Sequence, residues 1–227
     1  MQRKLSASGA RVGEDGSFLL DCRYFGQRLK IFVFSLYPGL GCVLRKETRM
    51  ELWDVYDHCF RKTGKVHERG KPLAPGDYHL VVAVFPINSE RQVLIQKRNP
   101  DLKLLPGVWA ATGGSAVCGE DAWDACKREL MEELGIAATR ENSEMVAAFK
   151  RIDSYNTVWL VHTDSKAEEL VLQAEEVSDA KWVTISELKA MAKEGTFHYY
   201  RYLDWLMDYI KRELPPLSAG EQPVSAV

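Results

Sequence analysis

The sequence predicts an α+β fold in which a mixed β-sheet carries helices on both of its faces. Three observations predict it. From Glu51 onward, short β-branched apolar runs alternate with stretches of helical period. Two of the apolar runs flank a short polar turn, the signature of a hairpin. The helical stretches are closed by glycine or proline, which stop helices.

In chain order, HLVVAVFPI (His79 to Ile87) and QVLIQKR (Gln92 to Arg98) read as two strands around Asn88-Ser89-Glu90. Further strands are expected at 108–112, 145–153, 156–163 and 180–185. One helix is expected from Glu120 to Leu134, closed by Gly135, and a second over 185–193. A third is expected from Tyr199 to Leu214, stopped by Pro215-Pro216. Its aromatic run FHYYRYLDWLMDYI suits its own core or a second copy of the chain, so a homodimer is an open expectation. The tail over 217–227 is too poor in apolar residues to order itself.

The chain has 227 residues, enough for one ordinary domain and a small appendage. With 30 Lys and Arg against 32 Asp and Glu, it has no global field to attract a nucleic acid polymer or an anionic membrane. Any recognition of phosphate must be local. No apolar run approaches the roughly eighteen residues of a membrane span, and the first twenty residues lack the apolar centre of a signal peptide. Five cysteines without a CxxC pair suit a reducing cytoplasm.

Residues 1–49 show hairpin-like fragments but no chemistry, and form an N-terminal extension of unknown role. Lys46-Glu47 can be encoded by purine-rich AAG-GAG just upstream of Met50. Two readings therefore stand: an over-extended gene model, or a genuine small extension.

The chemistry is concentrated in GSAVCGEDAWDACKRELMEELGI, from Gly114 to Ile136. On a helix, Glu129, Glu132 and Glu133 share one face, with Ala122, Ala125 and Cys126 preceding them on it. Three carboxylates so close repel each other, and the C-terminal end of the macrodipole disfavours them further. A divalent cation would offset this, and hard oxygen ligands suit Mg²⁺ or Mn²⁺.

Gly114, Glu120, Arg128, Glu129, Leu130, Glu132, Glu133, Gly135 and Ile136 match every fixed position of the Nudix box, GX5EX7REUXEEXGU, where U is aliphatic. The chain thus resembles the Nudix hydrolase superfamily. That resemblance implies an α/β/α sandwich with the box as a loop-helix-loop, here a Nudix domain over 50–216. It also implies that Glu129, Glu132, Glu133 and the carbonyl of Gly113 hold metal, and that Arg128 orients the acidic residues. Glu129 is then the expected general base, with Glu175 and Glu176 as candidates on a later loop.

Three stretches outside the box, together with EEVSDAKWVTISEL, resemble the isopentenyl-diphosphate isomerase-like subgroup: ELWDVYDHCFRKTGKVHERG, GDYHLVVAVF and KRNPDLKLLPGVWAATGG. This implies Lys97, Arg98 and Lys103 as diphosphate contacts. The isomerases carry Cys-Gly-His where this chain has Gly114-Ser115-Ala116, and they generally carry a degenerate box. Hydrolysis of a diphosphate in a small molecule is therefore the expectation, with an isomerase and a non-catalytic ligand-binding module as alternatives. His79 is expected to be a hydrogen-bonded histidine at a strand start rather than a metal ligand, and Trp109, Trp159 and Trp182 to serve strand cores.

Overall fold

A computed structural model describes residues 51–213 and, before them, the backbone of three strands. The chain divides into two units, Met1–Met50 and Glu51–Val227. In the first, β1 (Ser6–Val12), β2 (Phe18–Tyr24) and β3 (Gln27–Val33) form an antiparallel sheet in that order. The expected tail over 217–227 lies outside the described residues.

The second unit begins with a hairpin of β4 (Leu52–Tyr56) and β5 (Lys62–Glu68). The main sheet follows: β6 (His79–Ile87), β7 (Val93–Arg98), β8 (Trp109–Ala110), β9 (Thr112–Ser115), β10 (Ser143–Lys150), β11 (Ser154–His162) and β12 (Val177–Val183). Its order is β10-β11-β6-β7-β12, with β8 on β7 and β9 on β6. The pair β11–β6 is parallel and the other pairs are antiparallel, so the sheet is mixed.

Alternation along β6 sorts the core into two layers. Leu80, Val82 and Val84 point to one face, where they meet Ala125, Cys126, Leu130 and Leu134 of α1 (Ala122–Leu134). Ala83, Phe85 and Ile87 point to the other face, toward α2 (Ile185–Glu194) and α3 (Leu203–Glu213). The second unit is thus an α/β/α sandwich. Ala125 and Cys126 are fully buried, and their small volume lets α1 lie close to the sheet.

Two helix starts differ from the sequence expectation. The first helix begins at Ala122 because Asp121 caps it, accepting a hydrogen bond from the Asp124 N–H at 2.8 Å. Glu120 is left in the loop. The last helix begins at Leu203 instead of Tyr199 because the preceding residues are claimed by β8. The Trp109 N–H donates to the Thr196 carbonyl at 3.1 Å, and the His198 N–H donates to the Trp109 carbonyl at 2.7 Å.

A fork in the sheet positions the site. β6 and β7 pair at Ile87 and Val93 beside their turn, and then diverge. The segment that carries β8 and β9 enters the gap, pairing first with β7 at Gln96 and Lys97 and then with β6 from Val84 to Val81. The C-terminal half of α1 lies over this fork.

Candidate active site

Glu133 enters the fork and is 1% exposed. Its Oε2 accepts from Gln96 Nε2 at 2.9 Å and from the Gly113 N–H at 3.0 Å. Gln96 is equally buried and also receives the Thr112 hydroxyl at 3.2 Å. Glu129, 9% exposed, lies against Gly114, where a Cβ would overlap its carboxylate. At Gly113, with φ of 145°, a Cβ would overlap the Val82 carbonyl. Only glycine lets this strand approach both neighbours.

Arg128 organises the remaining acids. Its Nε and Nη2 donate to Glu120 Oε1 at 2.7 Å and Oε2 at 3.1 Å. Its Nη1 donates to Glu129 Oε1 at 2.9 Å and Glu132 Oε2 at 3.1 Å, and Nη2 also reaches the Ser115 carbonyl at 3.1 Å. One guanidinium therefore binds a loop, a strand and the acidic helix face.

One arginine does not neutralise this much negative charge. Burial pushes Glu129 up to about 7, aided by the charges of Glu132 and Glu176 and opposed by Arg128. Burial likewise pushes Glu133 up to about 8, with Glu129 and Glu176 adding to the rise and the Gly113 N–H and Gln96 opposing it. Among the described residues, no three His, Cys, Asp or Glu side chains converge tightly enough to chelate an ion as they stand. The reason is visible in their partners, since Glu129 and Glu132 are drawn onto Arg128 and Glu133 onto the fork. The donors still fit a hard divalent cation in kind: they are oxygens, they carry excess negative charge, and Gly114 lets the backbone come close to the Glu129 carboxylate.

The charge of Glu176 adds to the rise of Glu129 and Glu133, and its loop is anchored to α1 by the Gln173 N–H, which donates to the Glu133 carbonyl at 3.2 Å. Glu175 is exposed. Arg98, at the end of β7, donates from Nε to the Leu104 carbonyl at 3.0 Å. Its charge and that of Glu133 both act on the hydroxyl of Tyr200, which burial pushes up to about 12. Lys103 is exposed in the loop after β7. Lys97 lies elsewhere: its Nζ is 5.9 Å from the centroid of the Trp109 ring, on the α2/α3 face, and Lys181 sits over the same ring at 4.5 Å.

His79 departs from its expected hydrogen-bonded state. Its ring stacks on Trp53 with centroids 4.0 Å apart, and Nδ1 has no hydrogen-bond partner. Trp159 is buried in the α1 layer, while Trp109 and Trp182 pack partly buried against the two cores. Sequence reasoning missed Gln96, although a glutamine inside the apolar run VLIQ is the signal that marks it. It also missed Asp54, whose ties to the 117–120 loop only the fold reveals.

The sequence and the fold are matched by known proteins. The NUDIX domain model matches residues 77–206, more than half of the chain, and the chain belongs to the Nudix family. An uncharacterized Nudix hydrolase of Listeria monocytogenes is 38% identical over 160 residues, covering 70% of this chain and 95% of that protein. An isopentenyl-diphosphate Delta-isomerase of Dinoroseobacter shibae is 32% identical over 167 residues, covering 68% and 87%. A crystal structure from Deinococcus radiodurans superposes with a TM-score of 0.58 at 23% identity, covering 71% of this chain and all of that one, which supports the fold. Among the described residues, no helix is long and apolar enough to cross a membrane.

Proposed function

We propose that this protein is a divalent-metal-dependent hydrolase that cleaves a diphosphate linkage in a small molecule, working in the cytoplasm. The observation that carries the reading is the complete acidic set, Glu129, Glu132 and Glu133, gathered by Arg128 and the sheet fork beside Gly113 and Gly114. The relatives named as Nudix hydrolases support it.

Glu129, Glu132, Glu133 and the Gly113 carbonyl would hold Mg²⁺ or Mn²⁺. When bound, such an ion neutralises diphosphate oxygens and makes a water more acidic. Arg128 fixes where Glu129 and Glu132 lie on the helix face, from which they would turn to the ion. Glu129 takes the proton of the attacking water, with Glu176 in the same cleft as the other carboxylate able to do so. Arg98 and Lys103 contact the diphosphate from the β7 side, whereas Lys97 is occupied on the opposite face.

The isomerase reading draws on relatives named isopentenyl-diphosphate Delta-isomerase, the Dinoroseobacter one among them, at 28% to 32% identity. Cys118, the thiol nearest the box glycine in sequence, instead donates to Asp54 at 3.3 Å. A binding module would have no use for the full acidic set. The test is release of phosphate or pyrophosphate from a panel of nucleotide and prenyl diphosphates, with and without Mg²⁺, beside an isomerisation assay on isopentenyl diphosphate. Metal-dependent release supports the hydrolase. Isomerisation without release would replace it with the isomerase, and tight binding without either would leave the module.

A further inference from the structure

The box loop does not stand alone, because the hairpin in front of the family domain is fastened to it. Asp54, on β4, lies outside the matched residues 77–206. Its Oδ2 accepts from the Gly119 N–H at 2.9 Å and from Lys62 Nζ at 2.7 Å, and its Oδ1 accepts from Cys118 Sγ at 3.3 Å. Lys62 Nζ also donates to the Glu120 carbonyl at 3.0 Å, and the Cys118 N–H donates to the Leu52 carbonyl at 2.7 Å. Within the loop, the Val117 N–H donates to Glu120 Oε2 at 3.0 Å.

These bonds form a continuous path. β4 and β5 hold residues 118–120, which set the Glu120 carboxylate. Glu120 holds Arg128, and Arg128 holds Glu129 and Glu132. We infer that Asp54 is a positioning residue for the acidic site, acting through the 117–120 loop and the Glu120–Arg128 pair. The inference rests on the hydrolase reading of that site.

The electrostatics agree with the geometry. Burial alone would raise the Asp54 carboxyl, but the hydrogen bonds from Lys62, Gly119 and Cys118 outweigh it and hold the pKa below its ordinary value. The carboxylate is charged and fully engaged. Removing it leaves the Gly119 N–H without its acceptor and the Lys62 ammonium with only the Glu120 carbonyl, so the loop loses its main tie to β4.

The test compares the full wild-type chain with Asp54→Ala, Asp54→Asn and Lys62→Met. Four quantities are read: Mn²⁺ affinity by electron paramagnetic resonance, kcat and KM on a diphosphate the wild type cleaves, backbone hydrogen exchange over residues 117–120 by peptide mass spectrometry, and thermal melting. Asp54→Ala is expected to weaken Mn²⁺ binding about tenfold or more, by analogy with the loss of groups that orient metal ligands. It should lower kcat more than KM changes, and speed hydrogen exchange over residues 117–120 as the loop opens. Asp54→Asn keeps an acceptor for Gly119 and should fall between, as should Lys62→Met; these two carry the test if the alanine variant does not fold.

A folded Asp54→Ala chain with wild-type Mn²⁺ affinity and kcat would overturn the inference. So would lost activity with hydrogen exchange over residues 117–120 unchanged, since the loop would then not be the route. A wild-type chain that neither binds Mn²⁺ nor cleaves any diphosphate overturns the hydrolase reading itself, which separates the two failures.

Discussion

Arg128 and Glu120 form a two-pronged ion pair, with Nε 2.7 Å from Oε1 and Nη2 3.1 Å from Oε2. Because Nη1 of the same side chain reaches Glu129 and Glu132, the pair sets where two of the three acids point. Lysine offers a single ammonium and cannot span these partners. Arg128→Lys is therefore expected to lower kcat about 10- to 100-fold, in the range seen when groups that orient metal ligands are lost. Steady-state kinetics at saturating Mg²⁺ checks this, and unchanged kcat would remove Arg128 from the positioning role.

Much of this arrangement was legible in the sequence, for reasons that differ by element. β6 is a long apolar run between turn residues, and it appears over the expected residues 79–87. Spacings of three and four put the acids on one helix face whatever the surroundings. The start of α3 was not legible, because the backbone bonds between Trp109 and residues 196–198 are tertiary and outweigh the helical pattern of YYRY. The roles of Gln96 and Asp54 depend on the fork and on the docking of the β4–β5 hairpin, which join residues far apart in the chain. Lys97 shows the limit of reading by neighbours: it adjoins Arg98 in sequence, yet strand alternation sends it to the other face.

Glu132→Gln removes one charge from the acidic face while helix propensity barely changes. Its side chain is 30% exposed and pairs with Arg128 outside the fork, so the fold depends on it little. The expected outcome is turnover reduced at least about 100-fold, because a metal ligand should matter no less than the groups that orient one, with the melting temperature close to wild type. Full activity with Mg²⁺ in this variant would show that the metal site has been placed wrongly.

The buried acids also predict how stability depends on pH in the absence of metal. Glu129 and Glu133 are raised from an ordinary value of 4.5 to about 7 and about 8. Between those limits the folded chain keeps protons that the unfolded chain has lost, so stability falls as pH rises. Their contribution is fully present below 4.5 and is lost as pH passes through about 7 and about 8. Thermal melts in chelator should thus fall in temperature across this window, and Glu133→Gln should flatten the fall. Added Mg²⁺ should restore the most stability at the alkaline end, where the carboxylates are charged. A melting temperature that rises through the window in chelator would contradict the burial of these acids.

Gly113 and Gly114 are adjacent, yet they predict different failures. At Gly113 an added methyl would meet the Val82 carbonyl, and φ of 145° is a conformation that side chains resist. Backbone cannot yield cheaply, so Gly113→Ala should lose about 3 kcal/mol or more of stability. At Gly114 the methyl would meet the Glu129 carboxylate, which can swing away. Gly114→Ala should therefore keep most of its stability while Mn²⁺ affinity and kcat fall, because the displaced carboxylate is one of the proposed ligands. Denaturant melts and Mn²⁺ titrations on the two variants separate the cases. If Gly114→Ala binds Mn²⁺ as the wild type does, Glu129 does not hold the ion from the position it takes beside Gly114.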